Sequence, residues 1–454
     1  MIKKLFSSVL IICLLLSVFS VSASAFTPTS FEVRAESAML ISLDTGESLY
    51  EKDIDTKRYP ASLTKIMTAV LFLENVNDLD GETIEVSDNA VTSLLGTDSS
   101  VGGLKIGERF TARNLLYLLL MSSANDAAVA IAEYVSGSES AFVQLMNEKA
   151  AELKMNNTHF VNPHGLYNEN HYTTVRDISK LARYAMNNTV FAEVVSTARY
   201  KLPATNMSEE RTLSTTNYLI DPSVPQYFYK YAEGVKTGYT DEAGRCFVGA
   251  AKKDGYSYLC VLMKSPVYND KKQYVRFEFD DAQKLLDWAF TDFDYKTVLE
   301  KGETVGEAKV NLAWNTDFVT VVAKDGVSSV LPKNADLSTV SLKMNLDKKS
   351  FDATVEKGEK LGTISVVYAG ETLGTVDAVA ASTVKRNGIL YAGRVVKNIV
   401  TSTAMKIVFG LLIAAVIVFL IACKWLNRNR KKRNRIVRKK RGDDVIRRSE
   451  KDDR

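Results

Sequence analysis

The chain has 454 residues, of which 46% are hydrophobic and 25% are charged, and this length exceeds a single typical domain. The net charge of +4 is unevenly distributed. Residues 424–454 carry fifteen basic and five acidic side chains, a net charge of +10, and residues 1–25 carry two basic ones. The segment between them therefore has a net charge of −8. An acidic segment of this size argues against nucleic-acid binding.

The first 25 residues have the features of a signal peptide. Lys3 and Lys4 precede an apolar run from Val9 to Phe19, which is too short to span a bilayer, and the small residues Ala23-Ser24-Ala25 follow as a cleavage site. We therefore expect an exported chain whose mature form begins at Phe26.

Alternating apolar residues from Phe31 to Tyr50 predict a β-hairpin. The hairpin leads to a helix that starts at Pro60 and carries Ser62 and Lys65 in its first turn. Side chains three residues apart lie on the same helix face, so this hydroxyl and this amine can come within hydrogen-bonding distance. The uninterrupted apolar residues that follow supply burial, which lowers the pKa of a lysine and allows it to accept the serine proton.

Ser382-Thr383-Val384-Lys385 has the same spacing, so the pattern alone is weak evidence. We expect Ser382 and Lys385 to face solvent near the end of a β-rich segment, because an ordinary amphipathic surface is the commonest origin of such a tetrapeptide. Ser62 differs because two further polar clusters follow it along the chain.

The first of these clusters lies between two predicted helices, over residues 114–120 and 127–134. A turn containing Ser123 and Asn125, buried between the helices, projects a hydroxyl and an amide into the interior, where both need partners. The alternative is that Ser123 or Asp126 caps a helix, and both interpretations can hold together.

The second cluster is Lys236-Thr237-Gly238, within a segment that suits an extended strand. Lys236 and Gly238 then point one way and Thr237 the other. Because Gly238 has no side chain, a substrate's backbone or carbonyl can come close to this strand.

Two cysteines, Cys246 and Cys260, lie in the segment that we expect to be exported, on either side of an Asp254-Gly255 turn. Counting outward from that turn places Cys260 opposite Gly249 rather than opposite Cys246. We therefore predict two buried free thiols, since a secreted protein of this size can rely on its core without disulfides.

Period-two alternation after Leu299 predicts a small all-β domain that extends to about Asn398 and has no catalytic cluster. We expect it to hold the active site away from the bilayer; binding of a wall component or a partner is the alternative. Residues 404–423 approach the length of a transmembrane helix, and the basic run 424–454 follows directly. Positive charge favours the cytoplasmic side, so we predict an external ectodomain and an internal tail whose partners are anionic lipid headgroups, with nucleic-acid binding by the tail as the weaker alternative.

The three clusters occur in the order found in penicillin-binding proteins and β-lactamases. Over about residues 30–400 the chain resembles the low-molecular-weight penicillin-binding proteins, specifically the exported serine D-alanyl-D-alanine carboxypeptidases. Asn162-Pro163-His164-Gly165-Leu166 and the segment from Arg276 to Trp288 add to the resemblance. Ala124 and Tyr239 depart from it, because the family often has glycine and histidine there.

The resemblance implies an α+β protein whose β-lactamase/transpeptidase-like catalytic domain has two layers, an antiparallel sheet and a helical region, with the active site between them. A small all-β domain and one transmembrane helix follow. The expected organisation is a signal peptide, a catalytic domain, a β domain, a transmembrane helix and a basic cytoplasmic tail, over residues 1–25, 26–298, 299–398, 404–423 and 424–454.

The activity implied by the resemblance is removal of the terminal D-alanine from peptidoglycan stem pentapeptides that end in D-Ala-D-Ala, in support of cell-wall maturation. Ser62 would form an acyl-enzyme, which β-lactams would form too, and Lys65 would accept its proton. Ser123 would relay a proton to the leaving amine, and Asn125 would bind the substrate's amide carbonyl. No cofactor and no metal are implied.

The remaining implied roles concern the strand of the third cluster. The backbone N–H groups of Ser62 and Tyr239 would hold the developing oxyanion. Lys236 and Thr237 would attract the free carboxylate, with assistance from Arg276.

Three rival functions are weaker. A class A β-lactamase adds a glutamate with an asparagine close behind it, and the segment between Ser123 and Lys236 contains no such element. A zinc carboxypeptidase would need metal ligands, but His159, His164 and His171, the chain's three histidines, include no helical i, i+4 pair. A catalytically silent wall-binding or drug-sensing module would not need the intact serines and lysines of these clusters, and acylation by a fluorescent penicillin would distinguish it.

Overall fold

The structure, a computed structural model, describes residue 28 and residues 30–97 and 99–452, with side chains described as far as residue 434. The described residues form two compact units. The first comprises those up to Val298 together with Ser328–Val340 and Val367–Leu373, and the second comprises Leu299–Val327, Ser341–Val366 and those from Gly374 onwards. The predicted signal peptide lies outside the described residues.

The first unit contains an antiparallel five-stranded sheet in the order β2-β1-β9-β8-β7. Its strands are β1 (Ser37–Ser42), β2 (Ser48–Lys52), β7 (Ala232–Thr240), β8 (Gly244–Lys253) and β9 (Tyr256–Ser265). Both predicted hairpins are confirmed, and the turn between β8 and β9 has positive φ at both central residues, as a two-residue hairpin turn requires. The strand that carries the Lys-Thr-Gly cluster is β7, at one edge of the sheet.

Three pairs of shorter strands accompany the sheet. They are β3 (Thr83–Glu85) with β4 (Arg109–Thr111), β5 (Arg199–Leu202) with β6 (Arg211–Ser214), and β10 (Phe293–Leu299) with β13 (Val327–Pro332). The helices are α1 (Thr64–Asn75), α2 (Asp88–Thr92), α3 (Ala112–Met121), α4 (Asn125–Ser136), α5 (Glu139–Glu152), α6 (Val175–Met186), α7 (Thr189–Ser196) and α8 (Phe277–Asp292).

The sheet is buried on both faces. Along β8, Val248 and Ala250 belong to the core formed with α1, α3 and α4, whereas Phe247 and Ala251 belong to a second core formed with α8. Strands that are apolar on both sides need cover on both sides. The first unit therefore has helices on both faces of its sheet, so it has three layers rather than the expected two.

The predicted cysteine arrangement is confirmed. Cys260 pairs with Gly249 across β8 and β9, and Cys246 and Cys260 are free and buried. Burial raises the pKa of each thiol to about 12, so both stay protonated and inert at neutral pH.

The second unit is β-rich, as predicted. A six-stranded sheet has the order β14-β16-β17-β12-β11-β15. Its strands are β11 (Thr304–Asn311), β12 (Phe318–Ala323), β14 (Ser341–Leu346), β15 (Phe351–Asp352), β16 (Lys360–Tyr368) and β17 (Glu371–Ala380).

The prediction of β structure as far as Asn398 is wrong for its last residues, because α9 runs from Gly388 to Thr401. The Asn387 side chain accepts hydrogen bonds from the backbone N–H groups of Ile389 and Leu390 and so caps the helix. The next helix, α10 (Thr403–Asp452), contains a stretch, 403–434, that by length and composition could cross a membrane, and an 18-residue window within it has a mean hydropathy of 2.8.

Candidate active site

Ser62 lies in a short 3₁₀ turn, Ala61–Leu63, and the regular helix α1 begins only at Thr64. This differs from the predicted helix starting at Pro60. Ala61 has a φ of 47°, a left-handed conformation that costs an L-residue about 1–2 kcal/mol. Another segment packs closely against this turn, because a Cβ added to Gly165 would lie 1.9 Å from the Ala61 carbonyl oxygen.

The Lys65 amine lies within hydrogen-bonding distance of the Ser62 hydroxyl, with 3.0 Å between Nζ and Oγ. The same Nζ is 2.6 Å from Asn125 Oδ1 and 2.7 Å from the His164 carbonyl oxygen. Lys65 is fully buried, and burial, followed by the nearby charge of Lys236, lowers its pKa well below the usual range. A buried amine that loses its proton readily can act as a base toward the serine hydroxyl.

Ser123 and Asn125 both point into the same interior region. Ser123 Oγ is 3.1 Å from Lys236 Nζ, and Asn125 is the first residue of α4. The capping alternative is wrong for both candidates, because Ala124 occupies the N-cap without a side-chain hydrogen bond. Asp126, inside the first turn, accepts hydrogen bonds from the backbone of the loop that contains Gly102 and from the Ala127 N–H group of α4 itself.

Lys236 is almost completely buried and donates to Ser123 Oγ and to the Thr237 carbonyl oxygen. Burial lowers its pKa to about 7, so a large neutral fraction is present at physiological pH. The Thr237 hydroxyl is 2.6 Å from the hydroxyl of Thr216, and both residues line the cleft. Of the two groups expected to attract a carboxylate, the threonine is therefore the one on the cleft surface.

Gly238 is close to the turn that carries Ser62. A Cβ at this position would lie 3.1 Å from the Ser62 nitrogen and 3.2 Å from the Pro60 carbonyl oxygen. The missing side chain thus allows the Ser62 turn to pack against β7, whereas the sequence suggested room for a substrate.

A cleft of about 590 Å³ joins these groups. Its lining includes Ser62, Ser123, Asn125, Thr237 and Tyr239. The Tyr239 side chain is 43% exposed at the cleft surface. The three sequence clusters thus converge on one cavity, with Lys65 and Lys236 buried behind its wall.

One charged residue of the cleft, Arg245, was not predicted. Arg276 Nε lies 2.6 Å from Glu278 Oε1, and Arg245 Nε lies 3.9 Å from the same oxygen. Two guanidinium groups therefore share a single buried carboxylate, and the carboxylates of Asp241 and Glu242 also line the cleft. Arg245 pairs with Tyr239 across β7 and β8. A prediction of that hairpin and its register from the sequence would have placed Arg245 beside the third cluster.

Comparison with known proteins gives two family matches. Residues 22–266 match the family described as D-alanyl-D-alanine carboxypeptidase, and residues 293–386 match the C-terminal domain of penicillin-binding protein 5.

Individual relatives are similar over most of the chain. A D-alanyl-D-alanine carboxypeptidase of Bacillus subtilis (strain 168) is 34% identical over 370 residues, which cover 80% of this chain and 90% of that protein. Penicillin-binding protein 5 from Haemophilus influenzae shares the fold, with a TM-score of 0.62 at 24% identity over 79% of this chain and 100% of that one. A mutant of the Streptomyces K15 DD-transpeptidase is 30% identical, with a TM-score of 0.52 over 57% of this chain and 99% of that one.

Proposed function

Because this chain belongs to the D-alanyl-D-alanine carboxypeptidase family, we propose that it removes the terminal D-alanine from peptidoglycan stem pentapeptides through an acyl-enzyme on Ser62. Membership makes it a serine-type peptidase. The observation that carries the assignment of the nucleophile is the 3.0 Å separation between Ser62 Oγ and the buried Lys65 amine at a cleft of suitable size.

In the acylation step, neutral Lys65 takes the hydroxyl proton while Ser62 Oγ bonds to the carbonyl carbon between the two D-alanines. The backbone N–H groups of Ser62 and Tyr239 would hold the resulting oxyanion, a contribution of about 2.7–4 kcal/mol per donor in hydrolases. This arrangement is supported by the packing of the Ser62 turn against β7 at Gly238, next to Tyr239.

Collapse of the intermediate breaks the C–N bond and releases D-alanine, whose nitrogen must gain a proton. Ser123 can deliver this proton and can recover one along its hydrogen bond with Lys236. Asn125 offers its carboxamide oxygen to Lys65, so its amide NH₂ group remains to donate to a substrate carbonyl. Water then attacks the ester and gives up one proton through Ser123 to Lys236, which is neutral after reprotonating Ser123. Collapse of this second intermediate transfers the proton held by Lys65 to Ser62 Oγ and releases the shortened peptide as a free acid.

Selection for a C-terminal residue would come from the free carboxylate. The Thr237 hydroxyl can donate to it, and the guanidinium groups of Arg245 and Arg276 lie in the same cleft as possible partners, beside the carboxylates of Glu278, Asp241 and Glu242. Lys236 would contribute to carboxylate binding through its hydrogen bond to Ser123 and, when protonated, through its positive charge. A β-lactam offers an amide and a carboxylate in the same relative places, and we expect it to acylate Ser62.

The proposed organisation is a signal peptide at 1–25, a catalytic domain at 26–298 and a C-terminal domain at 299–398, which the two family matches support. We assign residues 404–423 as a single membrane span, supported by the apolar stretch of α10. The basic tail 424–454 would lie in the cytoplasm, against anionic headgroups. The enzyme would then act outside the cell membrane in cell-wall maturation.

The direct test is mass analysis of products after the full chain, in detergent micelles, is incubated with a stem pentapeptide ending in D-Ala-D-Ala. We expect release of one D-alanine and accumulation of the tetrapeptide acid. The same peptide with a C-terminal amide is the control and should be cleaved much more slowly. Cleavage within the stem, or equal turnover of acid and amide, would contradict the proposal.

A further inference from the structure

We propose that His171 is a positioning residue for the nucleophile: acting through Thr64, it holds the carbonyl group of Ala61 and thereby keeps Ser62 in its left-handed turn. This inference rests on the proposed role of Ser62. It concerns a residue that does not line the catalytic cleft.

The geometry defines a chain of hydrogen bonds with one direction. Thr64 Oγ1 donates to the Ala61 carbonyl oxygen at 2.8 Å, and it lies 2.8 Å from His171 Nε2. Since the only hydroxyl proton of Thr64 is used toward Ala61, its oxygen must accept from the Nε2–H group of the imidazole. The Val161 backbone N–H donates to Nδ1 at 3.2 Å, which agrees with a neutral ring protonated on Nε2.

The environment keeps the ring in this state. His171 is 2% exposed, Thr64 is fully buried, and the edge of the imidazole packs against Phe160. Burial, with a smaller contribution from His159, lowers the pKa of His171 to about 3, so the neutral ring persists throughout the physiological range. The hydrogen-bond chain is therefore a permanent feature of the fold.

The Ala61 carbonyl is the group whose direction matters. Ala61 has a φ of 47°, and Gly165 packs against its carbonyl so closely that no Cβ would fit. Without the Thr64 and His171 contacts, this peptide group can relax toward an ordinary right-handed turn. Ser62 would then move relative to both Lys65 and β7, and a displacement of about 1 Å at a reacting group can lower a rate by about 100-fold.

The alternative explanation is that His171 has a purely structural role and connects two loops. Its two ring contacts allow the explanations to be separated, because asparagine and glutamine each mimic one ring nitrogen. His171→Asn keeps an acceptor for the Val161 N–H group but loses the donor to Thr64, whereas His171→Gln keeps the donor to Thr64. His159→Gln, at an exposed histidine whose Nδ1 contacts the Asn170 carbonyl, is the matched control.

The experiment measures the second-order rate of acylation by a fluorescent penicillin, and the Tm, of each full-length variant in detergent. We expect His171→Asn to be acylated at least roughly tenfold more slowly than the parent chain, the effect of one lost buried hydrogen bond. His171→Gln should stay within about threefold of the parent rate, and His159→Gln should be unchanged. The acylation rate should depend on whether the variant retains the donor to Thr64, even if His171→Asn and His171→Gln have the same Tm.

Thr64 supplies a second pair that does not depend on the folding of the histidine variants. Thr64→Ser keeps the hydroxyl and should be acylated at the parent rate, whereas Thr64→Val should be acylated as slowly as His171→Asn. The double variant Thr64→Val/His171→Asn should be no slower than either single variant. Equal rates for the asparagine and glutamine variants, or for serine and valine at position 64, would overturn the positioning role. A parent chain that is not acylated at all would overturn the proposed function with it, whereas a reactive parent with uniformly reactive variants would overturn this inference alone.

Discussion

Ser62 and Ser382 each precede a lysine by three residues, and their surroundings differ completely. Lys65 is fully buried, lies 3.0 Å from Ser62 Oγ, and is also held by Asn125 and His164. Ser382 and Lys385 are both exposed at the end of the β-rich region, where water solvates the hydroxyl and the ammonium.

The difference shows what spacing contributes and what it does not. A separation of three residues places a hydroxyl near an amine where the backbone is helical, as it is from Ala61 onwards but not at Ser382–Lys385. Reactivity requires in addition that the amine be desolvated and that other elements bring acceptors to it, which happens only around Lys65. The exposed Ser382–Lys385 pair is thus a control, within the same chain, for substitutions at Ser62 and Lys65.

The largest contrast is expected at the serines. Ser62→Ala should lower the rate of D-alanine release by at least about 10⁴-fold, because the acyl-enzyme cannot form. Ser382→Ala should leave the rate unchanged. Fixed-time assays of D-alanine release from a stem pentapeptide measure both rates, and circular dichroism checks the fold of each variant. Comparable losses of activity in the two variants would contradict the distinction between Ser62 and Ser382.

The lysines should show a smaller contrast. Lys65→Met removes the base and is expected to lower kcat by about 10²–10⁴-fold, whereas Lys385→Met should have no effect. The check is steady-state kinetics over pH. Since the pKa of Lys65 is depressed by burial, activity of the parent chain should persist at neutral pH and fall as acid protonates this amine; full activity of Lys65→Met would refute the assignment.

Arg245 tests whether positive charge in the cleft contributes to substrate selection. Arg245→Gln should raise KM for a peptide with a free C-terminal carboxylate by about tenfold, the effect of a lost charge-assisted interaction. The C-terminal amide of the same peptide should show no such change. An equal effect on both peptides would indicate that Arg245 supports the structure of the cleft rather than recognition of the carboxylate.

Lys236 should make stability depend on pH. Its pKa is about 7 in the folded chain and 10.5 ordinarily, so between these values the unfolded chain binds the extra proton and stability rises with pH. Lys236→Met should reduce this slope by about 1 kcal/mol per pH unit, measured by denaturant unfolding at several pH values above 7. Lys385→Met should keep the slope; an unchanged slope in Lys236→Met would exclude a strongly depressed pKa.

The smallest effect on activity is expected from removal of the membrane segment. A chain that ends before Met405 should be soluble without detergent and should release D-alanine at the rate of the full chain. Ultracentrifugation with the kinetic assay tests this prediction. A truncated chain that remains in the membrane fraction would reveal another anchor.

Much of the site could be predicted because local patterns define it. The Asp254-Gly255 turn sets the register that places Cys260 opposite Gly249, and the helical spacing brings Lys65 to Ser62. The convergence of the three clusters came from the family resemblance, because no local pattern specifies contacts between distant segments.

The features that escaped prediction depend on such contacts. Ala61 adopts a left-handed conformation in a turn against which Gly165, far along the chain, packs too closely for any side chain. The same turn, rather than a substrate, occupies the space beside Gly238. The helix α9 was taken for β structure because a short apolar run does not distinguish strand from helix.

The central claim is that Ser62 alone forms the covalent intermediate, and mapping the acylated residue tests it most directly. The full chain would be incubated with a penicillin, digested and analysed by tandem mass spectrometry. The predicted result is a single adduct on Ser62. An adduct on Ser123 or Ser382, or no adduct on an enzyme that still releases D-alanine, would contradict the account.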